Sequence, residues 1–84
     1  MITKSTLDSL THNIDVMVTH IDNKSTFESS QRELERICTD NHINNFKLWC
    51  TYKANYDMLL VMSKGDKREA AKWVESAKKE YSNV

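Results

Sequence analysis

The chain has 84 residues, one glycine, no proline and two cysteines, and its 12 basic and 12 acidic residues cancel to a formal net charge of zero. That length holds one small helical domain, residues 1–84, with a marginal core for which self-association is a natural supplement. Near absence of Gly and Pro excludes a turn-rich all-β fold, and balanced charge removes any bulk pull toward DNA, RNA or a membrane.

The expected fold is all-α: a small four-helix bundle with short loops, dimeric through its third helix in one form of the reading. The first helix starts near Ser5 or Thr6, both competent N-caps. Leu7, Leu10, Ile14, Met17 or Val18, and Ile21 repeat at helical spacing and form its apolar stripe. Asp8, Asp15 and Asp22 recur beside it as a solvated flank, and Val16 points away from the stripe as an isolated exposed residue. Asn23 and Lys24 break the pattern. Ser25 and Glu28 then read as a capping box that opens a second helix, about residues 26–39, burying Phe27, Leu34, Ile37 and Cys38.

Asp40 and Asn41 are candidate N-caps for a third helix over about residues 42–63. This helix is unusual because its apolar residues fall on two sides. Leu48, Trp49, Tyr52, Tyr56, Leu59 and Leu60 gather on one; Ile43, Phe46, Cys50, Ala54 and Val61 gather on the other. A surface helix needs only one stripe. A helix with two is either sandwiched within the fold or lends one face to a partner.

Ser63-Lys64-Gly65-Asp66 closes it. Gly65 suits the left-handed position just past a helix end, and Asp66 caps a fourth helix with Glu69 three residues on. That helix, about residues 67–82, buries Ala70, Trp73, Val74, Ala77 and Tyr81. So tight a junction makes the last two helices antiparallel neighbours.

Charge is unevenly spread along this order. Residues 1–46 carry Lys4, Lys24, Arg32 and Arg36 against Asp8, Asp15, Asp22, Glu28, Glu33, Glu35 and Asp40, a net of −3. Residues 64–84 carry a net of +2. Such asymmetry reads first as solvated faces.

Reactive constellations are sparse. Cys38, His42 and Cys50 lie close in sequence, with Asp40 as a fourth donor, but structural zinc wants four ligands in paired short spacings. They read as core thiols and a surface histidine, and His12 and His20 as solvent-facing. Cys38 sits at a helix C-terminus, where the dipole disfavours a thiolate. A single glycine cannot build a phosphate-binding loop. The expectation is no metal, no cofactor and no catalytic residue.

The N-terminal Met1-Ile2-Thr3-Lys4-Ser5 lacks the basic-then-apolar pattern of a secretory signal. No apolar run approaches the ~20 residues that span a bilayer. A cytoplasmic protein with reduced cysteines is expected. Many Lys, Asn, Ser and Thr residues suggest an AT-rich coding sequence, as in small phage or plasmid genes.

Binding is the function this pattern favours. Trp49, Tyr52, Tyr56 and Leu59 line one side of the third helix, and Trp and Tyr are enriched at interface hot spots. The reading is a non-enzymatic regulatory, adaptor or inhibitor module that binds another protein through those four residues, with a homodimer on the same face and a phage-type accessory protein acting on a host factor as forms it can take. The alternative is a small nucleic-acid-binding regulator. Its second and third helices would form a helix-turn-helix presenting Asn44, Asn45, Lys47 and Thr51 to a groove. An acidic second helix and a turn without glycine weigh against it.

Overall fold

The computed structural model describes residues 3–43 and 56–81, with side chains through Lys79. The fold is an all-α small bundle of four helices, the last of them interrupted, and no strand occurs among the described residues. Its elements are α1 (Lys4–Thr19), α2 (Lys24–Asp40), α3 (Tyr56–Met62), α4 (Lys67–Glu75) and α5 (Ala77–Tyr81). Residues 44–55, the first part of the expected third helix, lie outside the described residues.

Thr3 caps α1, accepting from the Thr6 backbone N–H at 3.1 Å. The expected caps Ser5 and Thr6 therefore sit inside the first turn. At α2 the cap is Asn23, whose Oδ1 accepts from the Thr26 N–H at 3.2 Å, so Ser25 is helical and the expected capping box does not form. The residues that seemed to break the pattern start the helix. A turn over residues 20–22 separates the two elements, which makes α1 and α2 neighbours in space, and theirs is the most extensive packing in the fold.

Asp40 ends α2 and does not cap a third helix; its carboxylate pairs with Arg36 at 3.0 Å. Asn41 is the C-cap, and its side-chain amide donates to the Ile37 carbonyl at 2.9 Å. His42 follows at φ 56, in the left-handed region, and the Ile43 N–H closes back on the Cys38 carbonyl at 2.8 Å. The cap turns Ile43 into the core, where it is 4% exposed.

The same device ends α3. Lys64 takes the left-handed position at φ 57, and Gly65 follows at φ 80 with its N–H on the Leu60 carbonyl at 2.8 Å. The sequence marks Gly65 as the left-handed residue; the structure uses two in succession, the first a lysine. Asp66 then caps α4 as expected, accepting from the Arg68 and Glu69 N–H groups at 2.9 and 3.3 Å. Glu69 does not reach back to the cap; its carboxylate accepts from the Trp73 indole Nε1 at 3.1 Å.

Leu10, Ile14, Met17, Phe27, Leu34, Leu59 and Val74 are fully buried and form one cluster with Ile37, Cys38, Tyr56, Ala70 and Ala77. Each large side chain so buried contributes ~1.5–3 kcal/mol before chain entropy is counted. Leu7, Val18, Ile21, Leu60 and Trp73 pack around the edge. Val16, expected in solvent, is half-buried. The fourth helix breaks at Ser76, whose hydroxyl donates to the Trp73 carbonyl. Beyond the break, α5 packs on α1.

Candidate functional site

Tyr56 opens the described part of α3, and its ring meets Phe27 of α2 edge-on, with centroids 5.2 Å apart and planes at 67°. One turn on, Leu59 is fully buried. The periodicity of the helix therefore turns Tyr56 and Leu59 inward and leaves Leu60 at the edge. Of the four residues expected to bind a partner, these two belong to the chain's own core; Trp49 and Tyr52 lie outside the described residues.

The opposite face of α3 is exposed. Met58 is 51% exposed, Val61 78% and Met62 48%. They stand at i, i+3 and i+4, so they are neighbours on one helical surface and not scattered apolar residues. The sequence points to a second apolar side through Val61. Two flanking residues, Met58 and Met62, were not singled out, although their 3.6-residue spacing carries that signal.

Charged residues lie close to this face in sequence. Asp57 is engaged by Lys24 of α2 at 3.0 Å. That contact holds the Lys24 ammonium above the ordinary lysine range, through the hydrogen bond first and the charge second. Asp66 is engaged by the backbone of α4. Lys64, Lys67 and Arg68 are exposed and make no ion pair among the described residues.

A second concavity lies between the N-terminal part of α1 and the C-terminal part of α2. It is an open cleft of about 890 Å³ lined by Lys4, Asp8, His12, Glu33, Arg36 and Asp40, among others. Arg36 bridges Glu33 and Asp40 within it. The bond from Arg36 lowers the Glu33 carboxyl, and the same bond raises the Arg36 guanidinium. Further along α1, Asp15 and Glu75 hold Lys78, whose ammonium is raised first by its bond to Asp15.

Cys38 is a buried free thiol, 1% exposed. His42 is exposed on the cap that ends α2. Among the described residues no group of three or more His, Cys, Asp or Glu side chains is placed to hold a metal, and no helix is long and apolar enough to cross a membrane. Asn44, Asn45, Lys47, Thr51 and Cys50 lie outside the described residues. No protein-family model, curated protein or solved structure matches this sequence.

Proposed function

We propose that this chain is a non-enzymatic protein-binding module, of regulatory, adaptor or inhibitor type, and that it binds through the outer face of α3. The observation that carries the reading is the exposure of Met58, Val61 and Met62 side by side on a helix whose other face is anchored in the core. Exposed apolar side chains grouped in this way mark interaction surfaces in small proteins. Methionine suits such a face, because its unbranched, polarizable side chain adapts to the shape it meets. Tyr56 and Leu59 support the site from beneath by fixing the helix.

A photo-crosslinking amino acid at Val61, introduced in the organism that makes the protein, tests this reading. A discrete heavier adduct is expected there, and none from the same group at Ser29, which is exposed on α2. No adduct at Val61 would refute the proposal. Steeply salt-dependent retention on heparin, together with a nucleic-acid adduct at Val61, would replace it with the nucleic-acid reading.

A further inference from the structure

We propose that Met58 and Met62 form an oxidation site, and that converting their thioethers to sulfoxides switches off binding at this face. The oxidant is a hydroperoxide, with hydrogen peroxide as its simplest form. The inference rests on the binding role proposed above for Met58, Val61 and Met62. It adds how that role is regulated.

The chain has four methionines. Met58 and Met62, 51% and 48% exposed, stand one turn apart beside Val61, about 6 Å along the helix axis. Met17 is fully buried in the core, and Met1 lies outside the described residues. Cys38 is 1% exposed, and Cys50 also lies outside the described residues. Oxidation of sulfur follows its exposure. Among the described residues, then, the two accessible sulfur side chains both lie on the face proposed to bind.

In the reaction a sulfur lone pair attacks one oxygen of hydrogen peroxide. The S–O bond forms and the O–O bond breaks. The departing oxygen takes the proton of the transferred one and leaves as water. Sulfur gives up two electrons and the peroxide gains them, one peroxide for each methionine. The product is a polar sulfoxide in place of an apolar thioether, and sulfoxide reductases reverse the change. A partner that covers the face must then bury sulfinyl oxygens for which an apolar contact offers no hydrogen bond. The fold beneath does not depend on either sulfur, because Tyr56 against Phe27 and Lys24 on Asp57 hold α3 in place. Oxidation therefore alters the surface and spares its support.

The test uses the full chain with the photo-crosslinking amino acid at Val61. The purified chain is treated with hydrogen peroxide, freed of it, and mixed with an extract of the organism that makes the protein. Peptide mass mapping should find sulfoxide at Met58 and Met62 well before Met17, with an unchanged circular dichroism spectrum. Adduct yield at Val61 should then fall about tenfold, the factor expected from desolvating two sulfinyl oxygens without partners. Dithiothreitol alone, which reverses thiol oxidation at Cys38 or Cys50, should not restore it. Dithiothreitol with methionine sulfoxide reductases should.

Met58→Leu with Met62→Leu should keep the adduct and make it indifferent to peroxide. Met58→Gln with Met62→Gln should lower it with no peroxide at all. Both sites are exposed, so these variants stay folded. Retention on a phenyl column, a readout that needs no partner, should shorten when the chain is oxidised and stay constant in the leucine variant. Equal adduct yield before and after oxidation, a loss that persists in the leucine variant, recovery with dithiothreitol alone, or sulfoxide at Met17 as early as at Met58 would each overturn the switch. So would phenyl retention unchanged by oxidation. Absence of any adduct from the untreated chain would instead refute the binding role itself.

Discussion

A glutamate at position 56 and a glutamate at position 61 place the same charge on two faces of one helix, and the two substitutions should behave as opposites. Tyr56 is 7% exposed, with Phe27 against its ring at 5.2 Å. Losing a buried aromatic side chain costs ~3–5 kcal/mol, of which the edge-on contact itself accounts for ~0.5–1.5 kcal/mol. The incoming carboxylate then sits in apolar surroundings and must find a partner or take up a proton, which adds to the loss. A domain of 84 residues has a total stability on the order of 4–12 kcal/mol. Tyr56→Glu should therefore leave the chain largely unfolded. Val61 is 78% exposed, and the same change there should stay within ~0.5 kcal/mol. Tyr56→Phe keeps the ring and should cost less than ~1 kcal/mol. Urea denaturation followed by circular dichroism measures all three. A folded Tyr56→Glu variant that has lost under ~1 kcal/mol would refute the core position of α3. A loss above ~2 kcal/mol in Val61→Glu would show that the outer face is covered in solution.

Three further outcomes follow from the termini and the charges. Gly65→Val should cost more than ~1 kcal/mol through backbone strain at φ 80 alone, since a Cβ there meets nothing within 4 Å, whereas Lys64→Gly should raise stability by ~0.5–1 kcal/mol by relieving the lysine at φ 57; denaturant midpoints measure both. Asn23→Ala should cost ~1 kcal/mol and Ser25→Ala under ~0.5 kcal/mol, because Asn23 makes the capping bond; a larger loss at Ser25 would restore the capping box. Arg36 holds the Glu33 carboxyl below its ordinary range, so that pair stabilises the fold above the unfolded pKa of Glu33 and loses its effect as pH falls through the folded value. Glu33→Gln should accordingly flatten the acid limb of a stability-versus-pH curve and leave the alkaline limb unchanged.

The bundle was legible in the sequence because burial dictates period. Leu10, Ile14 and Met17, then Phe27, Leu34, Ile37 and Cys38, recur at helical spacing and all lie in the core. Helix ends were less legible, for a specific reason. Short polar side chains can serve either end of a helix. Asn41 is competent to open a helix, yet its amide donates backward to Ile37 and closes α2. Thr3, Ser5 and Thr6 are all capable of starting α1, and Asn23 and Ser25 of starting α2. For α2 the turn over residues 20–22 brings Asn23, two residues before Ser25, to the capping position, and composition does not encode that. The left-handed residues divide the same way. Gly65 advertises its backbone; His42 and Lys64 hold the same conformation with no such signal.

For the candidate site, sequence periodicity groups residues by face but does not say which face turns inward. Ile43 and Val61 were grouped as one side of a single helix. In the structure Ile43 reaches the core through the cap of α2, and Val61 stands in solvent. The neighbours of α3 explain the choice. A helix with two apolar sides can bury both only at the centre of a bundle. Among the described residues α1 packs most extensively, on α2, α4 and α5. Among the described residues α3 packs chiefly on α2 and α4, so its surroundings can cover one side. Phe27 of α2 takes that side by packing edge-on against Tyr56, and Lys24 at the start of α2 fixes the same orientation through Asp57. With the helix pinned at both points, rotating Met58, Val61 and Met62 inward would break the aromatic contact and the ion pair together. The exposed strip is thus a consequence of how α3 is anchored, and any partner that covers it meets a surface already held in position.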